Sequence, residues 1–397
     1  MTKRKLLLAV LAIAAALACA GIVMYMYSKP STPSSSPGKV ELIVGGATFP
    51  YYQIQYWISK FSKLYPNITI RYDAVGSGKG IANFKVGLYV IAFHDPPLPS
   101  KSWKEIRELY GPILQCPTVA GAIVVIYNIP GIRGTLNLTG PLLAEIFMGK
   151  IKDWCSPEIL RYNPGLEPVC SRVKSAPITV VVRHEASGTT LIFTTYLSMV
   201  SPEFNRTVGV GFLPDWSKAW SKYGAHGLKE KGNFGVAETV KKTPFSIGYV
   251  EWSYAIFTNL TMASIQNPLG EFVYPTRESI ERALEGAIRL GVLDKYNPLA
   301  DLYGLGEVRW FLNVREHGAY PIVALSHLTV KLRYSKKERD TAIAIYRFLK
   351  FIWVGPYSNE TIKGYVPVPY KLREKCFEVL RSSMTVDGVP ISKLVSN

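Results

Sequence analysis

Three short stretches of the 397-residue chain share one arrangement: small and hydroxyl residues stand where an expected strand gives way to an expected helix. They are Gly46-Ala47-Thr48-Phe49, Gly76-Ser77-Gly78 and Ser187-Gly188-Thr189-Thr190. A helix N-terminus offers N–H groups with no intrahelical acceptor and the positive end of the helix dipole. Small residues let an anion approach that backbone, and serine or threonine adds a hydroxyl donor. One such stretch alone is an ordinary cap or turn. Three with the same grammar point to donors converging on one small oxyanion. Arg183 ends an expected strand four residues before Ser187. Its planar fork suits an oxyanion held through two parallel hydrogen bonds, or a structural salt bridge with Glu185. Asp95 also follows a strand. A carboxylate beside an anion is repulsive unless the anion carries a proton to donate. Monohydrogen phosphate carries one and sulfate does not, so an acceptor there separates the two.

The elements that must place these groups follow from hydrophobic periodicity. Residues 41–44, 68–75, 89–93, 118–127, 178–182, 247–251 and 320–330 read as strands. Ile54, Trp57, Ile58, Phe61 and Leu64 fall on one helical face that Pro66 ends, and 140–148, 187–200, 236–242, 277–290, 336–353 and 370–382 read as further helices. Alternation of strand and helix predicts an α/β protein, an open sheet with helices on both faces.

Composition narrows the class. Hydrophobic residues make up 48% of the chain, with 24 Tyr and 8 Trp, which suits a folded core and excludes a disordered chain. The net charge of +17 is spread along the length, which favours anions in general. Of the five cysteines, Cys155 and Cys170 flank a loop-like stretch with proline and glycine; outside the cytoplasm they would form a disulfide, and otherwise remain thiols. No Cys/His spacing suits a metal, and no cofactor is implied. The opening Lys3-Arg4-Lys5 precedes 22 uncharged residues, Leu6 to Tyr27, enough to span a bilayer with the remainder outside, or to serve as a removed signal. A Ser/Pro-rich tether follows over 28–38. Five Asn-x-Thr sequons, at Asn67, Asn137, Asn205, Asn259 and Asn359, suit a glycosylated external surface.

The stretches Gly45-Gly46-Ala47-Thr48-Phe49-Pro50, Gly76-Ser77-Gly78, His94-Asp95 and Arg183 through Ser187-Gly188-Thr189 resemble the ligand motifs of the phosphate-binding protein of the high-affinity phosphate ABC transporter. Pro117 to Gly121, Ile146 to Ile151, Lys231 to Gly235 and Ile247 to Glu251 are similar to that family too, over roughly Val40 to Asn397. The resemblance implies a two-lobed, periplasmic-binding-protein-like fold closing over one inorganic phosphate, with residues 39–118 and 320–397 in the first lobe and 119–319 in the second. It implies hydroxyl and N–H donors from Thr48 and Phe49, a donor at Ser77 beside the turn at Gly78, a proton acceptor at Asp95, an anion-binding Arg183 held by Glu185, and donors at Ser187, Gly188 and Thr189. It implies delivery of phosphate to ABC permease subunits without catalysis; the chain is expected to be a monomer, held at the outer face of the membrane by its N-terminal helix or released from it by signal cleavage. His94 stands where the family often has Ser, Glu185 where Asp is usual and Ala186 where Gly is usual.

Other classes fit less well. His184-Glu185 opens like a zinc-protease motif, but Gly188 occupies the place of the second His. Ser187 lacks a nucleophile elbow, and Gly76-Ser77-Gly78-Lys79-Gly80 lacks Walker spacing. No nucleic-acid recognition motif appears. The alternatives that remain are a binder of another oxyanion, such as sulfate, molybdate or phosphonate, and a phosphatase.

Overall fold

The structure, a computed structural model, describes residues 38–395. The expected anchor at 1–27, with Cys19, and the tether as far as residue 37 lie outside the described residues.

One long strand organises the fold. β1 (Val40–Gly46), β2 (Ile68–Ala74) and β3 (Ile91–His94) precede β4 (Ile113–Asn128); β5 (Thr179–Arg183), β6 (Gly227–Glu230), β7 (Ser246–Glu251), β8 (Thr261–Met262) and β9 (Val323–Lys331) complete a nine-stranded sheet. Its order is β2-β1-β3-β9-β4-β7-β5-β6, with β8 also on β4. The first part of β4 pairs antiparallel with β9, from Ile113 opposite Lys331 to Ala122 opposite Val323. The remainder, Ile123 to Asn128, pairs antiparallel with β7. A single strand thus serves two half-sheets, and its residues are buried on both faces because helices cover both.

The helices follow the strands. α1 (Tyr51–Leu64) buries Gln53, Ile54, Trp57 and Phe61 on one face and stops at Tyr65, whose position before Pro66 disfavours helical backbone. α2 (Ser77–Lys85) follows β2, and α3 (Ser100–Tyr110) follows β3. In the second half come α4 (Gly140–Met148), α5 (Gly188–Val200) after β5, α6 (Gly232–Lys242) after β6, and α7 (Trp252–Phe257) after β7. Thr139 caps α4 with its side chain on the Leu142 N–H, and Ser187 caps α5 on the Thr190 N–H. α8 (Arg277–Arg289) opens with a reciprocal Thr276–Ser279 capping box. α9 (Arg339–Val354) and α10 (Tyr370–Ser383) return the chain to the first half.

β1 runs parallel to β3, and β5 runs parallel to both β6 and β7. Their carboxyl ends therefore open toward common ground, which is where open α/β sheets bind ligands.

Three features depart from the expectations. α3 was not anticipated: of its residues only Ile106 is fully buried, too sparse a stripe to stand out among its charges. β4 starts at Ile113, not 118, and runs through Pro117. Proline has no N–H for the ladder, and the pairing register shifts at Ser326/His327, directly opposite it. Cys155–Cys170 is joined as expected, and a second disulfide, Cys116–Cys376, ties β4 to α10.

In the chain-entropy view a loop of about 15 residues is worth about 3 kcal/mol and longer loops more. Cys116 and Cys376 lie 260 residues apart. Cys116→Ala/Cys376→Ala should therefore lower the melting temperature further than Cys155→Ala/Cys170→Ala, with non-reducing peptide mapping confirming both pairings in the native chain.

Candidate functional site

Each candidate side chain sits at the carboxyl end of a strand or the first turn of the helix after it, and the structure gathers them into one buried network. After β1, Thr48 is 7% exposed and Phe49 fully buried. After β2, Ser77 opens α2; after β3 comes Asp95; both are 1% exposed. Ser77 Oγ lies 3.3 Å from Asp95 Oδ2 and 3.2 Å from the Asp95 backbone N–H. From the second half, Arg183 ends β5, and Ser187, Gly188 and Thr189 start α5. Gly188 must be glycine here, because a Cβ would overlap the Asp95 carbonyl oxygen and stand 2.6 Å from Ser77 Oγ. The Gly78 N–H donates to the Ala186 carbonyl at 3.2 Å, and a Cβ on Gly78 would stand 2.6 Å from that of Ala186. So the two halves close on each other at van der Waals distance.

Arg183 is 1% exposed, and its Nε donates to Glu185 Oε1 at 2.9 Å. Nη2 reaches the same oxygen and also Thr48 Oγ1, at 3.4 Å for the latter. Nη1 is buried without a protein partner. Glu185 Oε1 further accepts the Gly232 N–H that opens α6, at 3.1 Å, so that helix end holds the residue that holds the arginine. Ser187 Oγ accepts the Thr190 N–H at 3.2 Å and so doubles as the α5 cap.

Two residues enter that the sequence reading did not name as site residues. Asn233, in the first turn of α6, donates to Thr48 Oγ1 at 2.9 Å and approaches Thr189 Oγ1 at 3.5 Å, bridging the halves. Its side-chain oxygen Oδ1 accepts the Glu251 N–H at 3.1 Å. The strand–Gly–helix grammar at Glu230 to Gly232 was the available signal. Ser326, inside β9, donates to Asp95 Oδ1 at 2.7 Å; only strand register reveals it. Among the described residues no group of His, Cys, Asp and Glu could hold a metal ion.

The profile of a PBP superfamily domain matches residues 31–352. The phosphate-binding protein PstS of Methanocaldococcus jannaschii is 37% identical over 368 residues, covering 92% of this chain and 91% of that protein. PstS of Haemophilus influenzae is 33% identical, over 82% and 87% of the two chains. The chain belongs to the PstS family of the PBP superfamily. The crystal structure of the phosphate-binding protein from Stenotrophomonas maltophilia shares its fold, with a TM-score of 0.59 at 18% identity over 90% of this chain and 98% of that one. The architecture is thus the two-lobed α/β fold expected, each lobe a half-sheet flanked by helices.

The departures of this PstS-family chain from the usual motif have local explanations. His94 points away from the cleft: Nδ1 donates to the Pro96 carbonyl at 2.9 Å, which leaves Nε2 to accept from Thr329 Oγ1 at 2.8 Å. Burial pushes its pKa down to about 4, so it adds no charge to the site at neutral pH. Glu185 spans Arg183 and Gly232 together, a double contact its length allows.

Two carboxyls in and beside this cluster are shifted by burial. Asp95 is pushed up to about 7, the desolvation being opposed by Ser326, Arg183 and Ser77. Glu251 is raised well above its ordinary range, again by burial. A proton count agrees for Glu251. Tyr365 must donate its single proton to the Phe49 carbonyl, 2.7 Å away, so Ser253 donates to Tyr365 at 3.0 Å. Ser253 then has no proton left for Glu251 Oε2, and the proton of that contact comes from Glu251.

Proton binding by Asp95 is linked to folding. Its folded pKa exceeds the unfolded one, so the ligand-free fold binds the proton more tightly, and stability falls as pH rises from about 4 to about 7. Above that window the cost is fully present. Asp95→Asn should therefore melt several degrees above the ligand-free native chain at pH 8, and thermal scans across pH should show the gap closing toward pH 4.

Proposed function

We propose that this chain captures inorganic phosphate outside the cytoplasm, closes its two lobes over it, and hands it to the permease subunits of an ABC importer. The observation that carries this is a buried carboxyl with no cationic partner of its own among donors: Asp95 lies beside N–H groups, hydroxyls and a guanidinium from both lobes, whereas the second carboxylate there, Glu185, is engaged by Arg183 and the Gly232 N–H. The relatives named PstS are phosphate-binding proteins by name, which supports the same ligand. Thr48, Phe49 and Ser77 from the first lobe, and Arg183, Ser187, Gly188 and Thr189 from the second, supply the donors. Asp95 accepts the proton that monohydrogen phosphate carries and sulfate lacks. Because neither lobe holds the full set, the anion favours the closed arrangement over the open one. Nothing covalent is required, and the protein acts as a binder, not a phosphatase.

The lobes run over 39–118 with 320–397 and over 119–319. The exchange of β4 partners between Ala122 and Ile123, and the start of β9 at Val323, support crossings near those bounds. An external, anchored location is supported by the uncharged Leu6-to-Tyr27 run, by two disulfides, and by exposed sequon asparagines at 67, 205, 259 and 359.

Calorimetric competition should show phosphate bound at least about 100-fold more tightly than sulfate, as expected where a buried group is left unpaired. Asp95→Asn should narrow that ratio by at least about tenfold. Equal binding of both anions by the native chain would overturn the assignment.

A further inference from the structure

Three consecutive carbonyls of the first-lobe loop are each held by a buried tyrosine. Tyr72, on β2, donates to the Ala47 carbonyl at 2.6 Å. Tyr254, on α7 of the second half, donates to the Thr48 carbonyl at 2.7 Å, and the Tyr51 N–H approaches the same oxygen at 3.4 Å. Tyr365, ahead of α10, donates to the Phe49 carbonyl at 2.7 Å. The three tyrosines come from distant parts of the sequence and are at most 8% exposed.

The peptide is planar, and in the trans form its C=O and N–H point in opposite directions. Among the described residues the one cis bond is Asp95-Pro96, so the peptides after Ala47 and Thr48 are trans. A hydroxyl fixed on the Ala47 carbonyl therefore aims the Thr48 N–H away from Tyr72. One fixed on the Thr48 carbonyl aims the Phe49 N–H away from Tyr254. Neither N–H has a protein acceptor among the described residues. Donation to a carbonyl also polarises its peptide and makes the N–H on the far side a stronger donor. The third carbonyl differs, because the next residue is Pro50, which has no N–H. Tyr365 has the same bond and nothing behind it to aim.

We propose that Tyr72 and Tyr254 are positioning residues of the anion site, setting the direction and donor strength of the Thr48 and Phe49 N–H groups, and that Tyr365 is not. Tyr254 does so from the second half of the molecule, so the first-lobe donors are finished by a second-lobe hydroxyl. Burial raises the pKa of all three phenols well above its ordinary value, which keeps each one a neutral donor.

The inference rests on the phosphate reading, and one set of measurements separates the two. Phosphate titration calorimetry and ligand-free thermal melts are run on the native chain and on Tyr72→Phe, Tyr254→Phe and Tyr365→Phe, with the Thr48 and Phe49 amide resonances followed by NMR. Each variant loses a buried hydrogen bond and should lose comparable stability. Tyr72→Phe and Tyr254→Phe should weaken phosphate about tenfold, the effect of one such bond, and each should shift the amide behind its carbonyl. Tyr365→Phe should stay within about twofold of native affinity. If the native chain ignores phosphate, the functional reading falls. If the native chain binds and Tyr365→Phe weakens binding as much as the other two, or none of the three does, the positioning role is wrong. Tyr72 and Tyr254 serve separate amides, so should one variant not fold, the other decides the case.

Discussion

The burial of Asp95 and Arg183 in one cleft is the constraint that the remaining architecture answers. Each is 1% exposed, and an ion removed from water is costly unless partners replace its hydration. Arg183 receives Glu185 on two of its nitrogens and Thr48 on one, yet keeps a third nitrogen unpartnered. Asp95 receives Ser77 and Ser326 and still titrates far above an ordinary carboxyl. A protein selected for stability alone would replace such a pair with apolar packing. Retaining both, half-satisfied and opposed across a closing interface, makes sense where a guest completes the set.

Strand direction is what makes the set possible. With β1 parallel to β3, and β5 parallel to β6 and β7, successive strands end at one edge and their helices begin there. Helix N-termini are then concentrated without any residue having to reach far, and short side chains suffice. That explains why the site is made of Thr, Ser, Gly and Asn, with one long side chain, Arg183, drawn in by Glu185. The close approach of Gly188 to Asp95 and of Gly78 to Ala186 is the corollary: short donors work only if the backbones nearly touch.

How much of this the sequence shows depends on how local the signal is. Thr48, Ser77 and Ser187 were legible because strand, small residue and helix follow one another within a few positions. Asp95 and Arg183 were legible because each ends a strand. Asn233 obeys the same local rule but carries no hydroxyl or charge to draw attention, and its role depends on Thr48, 185 positions away. Ser326 lies inside β9, where only pairing with distant strands brings it under Asp95. The Cys116–Cys376 bridge and the strand through Pro117 share that character, being fixed by register between segments remote in sequence. α3 was hidden for the opposite reason, since one fully buried residue in eleven leaves no stripe to read.

Selectivity and capture then rest on two different loops of the first lobe, the one after β3 and the one after β1. In the proposed function, Asp95 and its serines decide which protonation state of a tetrahedral anion is welcome, because an acceptor without a proton to accept is a buried, repulsive charge. The tyrosines behind Ala47 and Thr48 bear on how strongly any such anion is held, since they act on N–H groups that every tetrahedral oxyanion can use. Pro50 marks the limit of that device: after Phe49 the backbone has no further donor to offer, and Tyr365 at that carbonyl is left to join Phe49 to Ser253 and Glu251. Specificity and affinity can therefore change separately in this fold, the first through the neighbours of one carboxyl and the second through hydroxyls that never touch the guest.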